Sequence, residues 1–96
     1  MSDSGIKHDA GKPMVLRGFL KQFPRAVEEV ARASEFGAAK YTWNGWETVP
    51  DALERYSEAL ARHLMKDGTD PESAMLHATH AAWNAMARLE LILRKK

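Results

Sequence analysis

The sequence predicts an all-α fold, a small helical bundle of three main helices preceded by an irregular N-terminal arm. Apolar residues recur with the period of a helix along three long stretches, and no run of alternating apolar and polar residues is long enough for a sheet. The chain has 96 residues, of which 45% are hydrophobic and 28% charged, a balance typical of one globular domain. We therefore interpret residues 1–96 as a single helical domain, with an arm and lead-in over 1–22 and the bundle over 23–96.

The first predicted helix spans residues 24–41. Residues 1–12, which precede it in the arm, are rich in charge and glycine and indicate irregular structure. Pro24 suits the first turn of a helix. Six residues then share one face at 100° per residue, namely Val27, Val30, Ala31, Ser34, Ala38 and Tyr41. The segment 42–49 contains Asn44 and Gly45 and is predicted to be a connecting turn.

The second predicted helix begins near Pro50 and Asp51 and runs to Asp67, with Gly68 as a left-handed stop. Its buried stripe is predicted to consist of Leu53, Tyr56, Leu60, His63 and Leu64.

The third predicted helix spans residues 71–94, with Asp70 as its N-cap and Pro71 in its first position. It is apolar on almost every side, a pattern typical of a helix that is buried all round. Two other helices are too few to cover it. We therefore expect a second copy of the chain to cover the rest and the protein to be a homo-oligomer.

Four polar residues cross this apolar helix within an arc of about 80°: His77, His80, Asn84 and Arg88. Burial of such groups is costly unless each finds a partner. One interpretation is a hydrogen-bond network within the core, and the other is a ligand or metal pocket. Because His63 lies on the apolar face of the second helix, both helices offer polar groups to one place, which favours the pocket.

Acidic and aromatic residues add to this hypothesis. Glu28 and Glu35 lie two turns apart on the first helix and either join the site or pair with Arg32 between them. Glu72 precedes His77 by little more than one turn, although the helix dipole alone favours an acidic residue there. Three aromatic residues either stack on a base, a contact worth ~1–3 kcal/mol, or close the end of the bundle: Tyr41, Trp43 and Trp46.

Composition excludes several classes of protein. The formal charge of +1 offers no broad basic field for duplex nucleic acid. The absence of cysteine excludes disulfides and thiolate sites. No apolar run approaches the ~18 residues of a membrane span, and the polar first residues are unlike a signal peptide. We therefore expect a cytoplasmic protein that contacts neither membranes nor duplex nucleic acid. The stretch 7–13 lacks the glycine spacing of a phosphate loop, so Lys12 is either a mobile phosphate clamp or a solvated charge.

The chain resembles a phage family, the N-terminal domain of dATP/dGTP diphosphohydrolases, related to the MazG-like all-α nucleotide pyrophosphatases. The resemblance covers nearly the whole chain. It is carried by residues 9–13, by Arg62 and His63, by residues 70–73 and by a set of single positions: Phe36, Gly37, Lys40, Tyr41, Trp46, His77, His80 and Asn84.

This resemblance implies an oligomeric helical bundle that binds a nucleoside triphosphate and uses Mg²⁺ or Mn²⁺ to cleave between the α and β phosphates. The paired metal-binding carboxylates of MazG-like enzymes are missing here. Ala31 and Arg32 stand three residues after Glu28 and Glu29, and the later helix carries His77 and His80 instead. Imidazoles suit Mn²⁺, Zn²⁺ or Ni²⁺ better than Mg²⁺.

Each residue type then has an expected role. The predicted catalytic carboxylates are Glu28, Glu35 and Glu72, and the predicted metal ligands are His63, Glu72, His77 and His80. The predicted nucleotide contacts are Lys12, Lys40, Tyr41, Trp43, Trp46, Arg62, Asn84 and Arg88.

The preferred hypothesis is a metal-dependent nucleoside triphosphate pyrophosphohydrolase that acts on a purine deoxynucleotide. The alternatives are a non-catalytic nucleotide binder that sequesters a nucleotide signal, and a structural helical module.

Overall fold

The computed structural model describes residues 10–95. Three helices dominate this part of the chain: α1 over Pro24–Lys40, α2 over Ala52–Leu64 and α3 over His77–Arg94. This confirms the all-α fold class. Residues 1–9 of the predicted arm lie outside the described residues. The lead-in contains a π-helical turn over Leu16–Leu20, closed by a hydrogen bond of 2.8 Å from Lys21 N to Leu16 O.

α1 agrees with its predicted bounds to within one residue, with Pro24 at its first position. Its buried side differs from the predicted stripe. Ala33 is buried, whereas Ala31 is exposed and the side chain of Tyr41 is 78% exposed. The other stripe residues, Val27, Val30, Ser34 and Ala38, are half-buried, because α3 packs on α1 over a smaller area than on α2.

α2 is shorter at both ends than predicted. Asp51 adopts a left-handed backbone, with φ of 55°, before the helix begins at Ala52. The helix ends at Leu64, which is 68% exposed rather than buried. Gly68 does adopt a positive φ of 75°, but it leads into a strand rather than closing the helix.

The predicted start of the third helix at residue 71 is wrong by six residues, because residues 69–76 form a small hairpin. β1 (Thr69–Asp70) pairs antiparallel with β2 (Met75–Leu76), with Thr69 opposite Leu76 and Asp70 opposite Met75. The Asp-Pro pair satisfies a turn as well as a helix start, since proline fits the second position of a turn. The chain reverses through Ala74, whose φ is 63°.

α3 packs mainly against α2 and, over a smaller area, against α1. The buried hydrophobic residues between them are only alanines, Ala33, Ala81 and Ala87. Four large side chains on the remaining faces of α3 are exposed: Met86, Leu89, Ile92 and Leu93. None of the helices within residues 10–95 is long and apolar enough to cross a membrane.

The connection between α1 and α2 contains a 3-10 turn over Gly45–Thr48. It is held to the helices by aromatic contacts. The Tyr56 hydroxyl donates to Trp46 O of this turn at 2.7 Å. The Trp83 indole N–H donates to Ser34 Oγ at 2.9 Å and so joins α3 to α1. The rings of Trp46, Tyr56 and Trp83 meet edge to face or tilted, with centroids 5.4–6.3 Å apart.

Candidate functional site

A cavity of about 410 Å³ opens where α1, the end of α2, the hairpin and the start of α3 meet. We call it the polar cavity. Among its lining residues are three histidines, two carboxylates and two cations: His63, His77, His80, Asp70, Glu72, Arg62 and Lys66. The remaining lining residues are Ala33, Phe36, Gly37, Ser73, Trp83 and Asn84.

Three histidines from two helices form the centre of this cavity. Nδ1 of His63 on α2 lies 2.9 Å from Nδ1 of His77, the first residue of α3. The rings of His63 and His80 stack, with centroids 4.9 Å apart and an angle of 25° between their planes. His80 follows His77 by three residues and therefore lies on the same face of α3. This is the convergence that the sequence predicted.

The hairpin brings Asp70 and Ser73 to the same histidines. Ser73 Oγ and His80 Nε2 share a hydrogen bond of 2.6 Å, and the amide of Met75 donates to the same Oγ at 3.1 Å. Asp70 Oδ2 lies 4.0 Å from His80 Nε2. One oxygen of Asp70, Oδ1, accepts the backbone N–H of Glu72 at 2.9 Å, which leaves the other oxygen directed towards the imidazoles.

The protonation states of two residues in the cavity follow from their surroundings. Burial lowers the pKa of His63, and the charge of His80 lowers it further. The backbone N–H of Glu72 holds the pKa of Asp70 below its ordinary value, with smaller contributions from the neighbouring histidines. At neutral pH, Asp70 is therefore an anion and His63 a neutral imidazole.

An aromatic cavity of about 550 Å³ adjoins the polar cavity, and the two share Gly37 and Trp83. Its other lining residues are Ser34, Ala38, Tyr41, Thr42, Trp43, Gly45, Trp46, Val49 and Tyr56. All three aromatic residues predicted to contact a base therefore line one cavity. Tyr41 and Trp43 are 78% and 64% exposed at its rim, while Trp46 packs against the interior.

The sequence profile of a family described as dATP/dGTP diphosphohydrolase, N-terminal, matches residues 2–96. The chain belongs to this family. A relative from Salmonella phage PMBT28, named dATP/dGTP diphosphohydrolase, is 36% identical over 88 residues. The match covers 86% of this chain and 28% of the relative, so the chain spans little more than a quarter of that relative's length. No solved structure matches the chain.

Several site residues predicted for this diphosphohydrolase N-terminal domain do lie in the polar cavity. Arg62, His63 and Asn84 line it together with Glu72. Lys40 lies at its rim, where its ammonium group is 3.8 Å from Glu72 and 4.8 Å from the centre of the Phe36 ring.

Other predicted residues lie outside the cavity. Glu28 and Glu35 are exposed on α1, because the α3-facing strip of that helix passes through Ala33 instead. Arg32 pairs with Glu29 at 3.2 Å rather than with either of them. Lys12 is exposed in the lead-in.

Arg88 also lies outside the polar cavity, whereas Asn84 lines it. Arg88 donates to Ser57 Oγ at 2.5 Å in a separate cavity near the end of α3. Asn84 and Arg88 are four residues apart, and each such step turns the side chain by about 40° around the helix axis. The polar seam therefore turns away from the hairpin towards its end. Asn84 donates to the carbonyl of His80 at 2.8 Å, a bond within α3.

Sequence reasoning missed Lys66, and it assigned Asp70 to a helix cap. Residues 70–73 are among those that carry the family resemblance. Helical periodicity and capping preferences, however, predict them to be the start of a helix. Only a hairpin turns Asp70 and Ser73 back towards His80. No buried side-chain nitrogen or oxygen within residues 10–95 lacks a hydrogen-bond partner.

Proposed function

We propose that this domain binds a purine deoxynucleoside triphosphate, with the phosphates in the polar cavity and the base in the aromatic cavity. The observation that carries the proposal is that the two cavities adjoin at Gly37 and Trp83. One is lined by two cations, three imidazoles and two carboxylates, and the other largely by aromatic rings. The name of the phage relative, dATP/dGTP diphosphohydrolase, supports a purine deoxynucleotide as the ligand.

The phosphate end depends on charge. Arg62 at the end of α2 and Lys66 just after it line the polar cavity, and Lys40 lies beside its lining residues Glu72 and Phe36. Arginine binds phosphate oxygens through two parallel N–H bonds, and lysine acts as a point charge. Lys40 pairs with Glu72 at 3.8 Å, and both side chains are exposed. A bound phosphate would replace this exposed ion pair, which contributes little by itself.

The base end depends on stacking. The aromatic cavity offers Trp46, Tyr56 and Trp83 as its inner wall and Tyr41 and Trp43 at its rim. Stacking of a base on an aromatic side chain contributes about 1–3 kcal/mol. A purine presents a larger ring face than a pyrimidine, so we expect the cavity to prefer purines.

We further propose that water hydrolyses the nucleoside triphosphate between its α and β phosphates to the nucleoside monophosphate and inorganic pyrophosphate. The sequence predicts Mg²⁺ or Mn²⁺ as the metal. Of these two ions, Mg²⁺ requires oxygen ligands. The polar cavity offers Asp70 and only one other carboxylate among its described lining residues, Glu72, which is 77% exposed and paired with Lys40. The residues present do not fit a dedicated Mg²⁺ site, and no reaction step through Mg²⁺ follows from this geometry.

A second function, nucleotide binding without turnover, is favoured by the position of the carboxylates. Glu28 and Glu35 lie on the exposed side of α1, and neither lines the cavity. A pocket with cations and stacking surfaces, in which Glu28 and Glu35 take no part, would hold a nucleotide and leave it intact. Such a domain would sequester its ligand.

Calorimetry with dATP, dGTP, dCTP and dTTP, followed by chromatography of the products, separates these functions. We expect the two purine nucleotides to bind more tightly than the pyrimidines. The Arg62→Ala variant should weaken binding at least tenfold. Arg55→Ala, which removes the same side chain from an exposed position on α2 outside the polar cavity, serves as its control.

Each outcome has a distinct meaning. Appearance of the nucleoside monophosphate and inorganic pyrophosphate supports hydrolysis. Binding with the triphosphate intact after long incubation supports sequestration. Absence of binding for all four nucleotides contradicts both and leaves the structural module.

We also propose that the domain functions as a homo-oligomer. The only buried hydrophobic residues in 10–95 are three alanines, which is a small core for an independent fold. Large apolar side chains are exposed along one side of α3, at Met86, Leu89 and Leu93. A second copy that packs on this face would bury them.

A further inference from the structure

We propose that His63, Asp70 and His77 form a binding site for one first-row transition metal ion, such as Zn²⁺, rather than for Mg²⁺. This set differs from the ligands expected from the sequence. Asp70 replaces Glu72, and His80 does not bind the metal. The proposal concerns the metal alone and stands whether or not a nucleotide binds.

The donor atoms are already close together. One ligand atom from each of the three residues lies within 4.8 Å of the other two, and the Nδ1 atoms of His63 and His77 are 2.9 Å apart. Two nitrogens bound to one tetrahedral zinc ion at 2.0–2.1 Å lie about 3.3 Å from each other. A small rotation of either ring is therefore enough to admit the ion in place of the shared proton.

Each ligand is held by a different element. His63 lies in the last turn of α2, and Asp70 pairs with Met75 across the hairpin. His77 begins α3, where its backbone N–H donates to Gly68 O at 2.9 Å. Donors held on rigid elements in this way are in place before the ion arrives.

The remaining polar contacts leave the donor atoms available. Asp70 uses Oδ1 for the amide of Glu72, so Oδ2 is free for a metal. His80 has its Nε2 bound to Ser73 Oγ at 2.6 Å and stacks on His63. His80 is therefore a positioning residue that fixes the plane of the His63 ring.

The chemistry of the donors selects the metal. Two imidazole nitrogens and one carboxylate form the three-ligand set of catalytic zinc sites, which keep a fourth position open. Imidazole favours Zn²⁺, Co²⁺ and Ni²⁺ over the hard ion Mg²⁺. The three ligands line the same cavity as Arg62 and Lys66, so an oxygen of water or of a phosphate would fill the open position.

Titration of the metal-free full chain with Zn²⁺ alone, by calorimetry, tests the site. We expect one ion per chain, and we expect Mg²⁺ at the same concentrations to give no heat of binding. Co²⁺ should give visible absorption bands of low-symmetry nitrogen and oxygen coordination. Histidine ring ¹⁵N shifts of the unaltered protein should move at Nδ1 of His63 and His77 when Zn²⁺ is added.

Variants identify the ligands. Loss of a group that only orients a metal ligand typically costs about 10- to 100-fold in affinity, so Asp70→Asn and His77→Gln should each lower Zn²⁺ affinity at least tenfold. Asp51→Asn, a carboxylate outside the polar cavity, is the matched control and should bind Zn²⁺ as the unaltered chain does. Circular dichroism checks that each variant is folded.

The proposal fails if Zn²⁺ does not bind, if Mg²⁺ binds equally well, or if the Nδ1 shifts are unchanged while Zn²⁺ binds elsewhere. If His77→Gln does not fold, Asp70→Asn and the ¹⁵N shifts of the unaltered chain decide. Failure of the zinc proposal does not affect the nucleotide-binding proposal, because nucleotide binding is measured by calorimetry without added metal.

Discussion

Trp83 joins the two cavities, and its replacement by phenylalanine tests how the small core is held together. The change removes the hydrogen bond of 2.9 Å from the indole nitrogen to Ser34 Oγ. It keeps an aromatic ring to face Trp46 and Tyr56, whose ring centroids lie 5.9 and 5.4 Å from that of Trp83. A hydrogen bond of this kind contributes about 1 kcal/mol net.

We therefore expect Trp83→Phe to lower the free energy of unfolding by about 1–2 kcal/mol, including some loss of edge-to-face contact. Trp83→Ala removes the whole ring and should cost about 3–5 kcal/mol. Small domains are stable by only about 5–15 kcal/mol, so the alanine variant should be close to unfolded. Urea denaturation at one fixed protein concentration measures these changes, because the stability of an oligomer depends on concentration.

The control is Trp43→Phe, the same substitution at a side chain that is 64% exposed. It should change the free energy of unfolding by less than about 0.5 kcal/mol. Ser34→Ala removes the acceptor of the same hydrogen bond, so the two single changes should not add in the double variant. If Trp83→Phe costs no more than Trp43→Phe, or if the Trp83 and Ser34 changes are additive, the hydrogen bond does not stabilise the fold as argued.

Three further predictions concern stability and assembly. Burial raises the pKa of Tyr56 above 10.0, so the stability that its neutral form contributes is complete below pH 10 and is lost as the pH rises towards the folded pKa. Tyr56→Phe, which also removes the bond to Trp46 O, should make alkaline unfolding less steep; an unchanged profile would contradict this. Ala74 has a φ of 63°, so Ala74→Gly should stabilise the chain by about 1 kcal/mol, seen as a higher melting temperature, and a lower one would refute the strain. Light scattering should show a mass of at least two chains, and Leu89→Glu should reduce it; a stable, folded monomer at micromolar concentration would exclude the oligomer.

The outline of the fold follows from local pattern. α1 begins at Pro24 as predicted, because the proline is followed at once by a long stretch with helical periodicity. The convergence of His63, His77 and His80 could also be predicted, since each lies on the face of a helix that is apolar around it and must pack inwards. Both arguments use only local features of the sequence, the position of a proline and the 3.6-residue period.

The 3.6-residue periodicity could not predict the position of residues that depend on another segment of the chain. Asp70 and Pro71 suit a helix start or a turn equally well, and the pairing of β1 with β2 decides for the turn. The same pairing carries Asp70 and Ser73 to His80. Helix periodicity also could not show how narrow the contact of α1 with α3 is, and so it placed Glu28 and Glu35 at the site when both face outwards.

The amino-acid sequence alone determined the helical class, the histidines on the inner faces of two helices and the aromatic residues of the α1–α2 connection. The tertiary structure decided which of these groups meet. A helix face is a property of neighbours three and four residues apart, whereas the distance of 2.9 Å between His63 and His77 depends on how α2 packs against α3. The position of Asp70 in the polar cavity likewise depends on a hairpin. Its two-residue strands are too short to give an alternating pattern in the sequence.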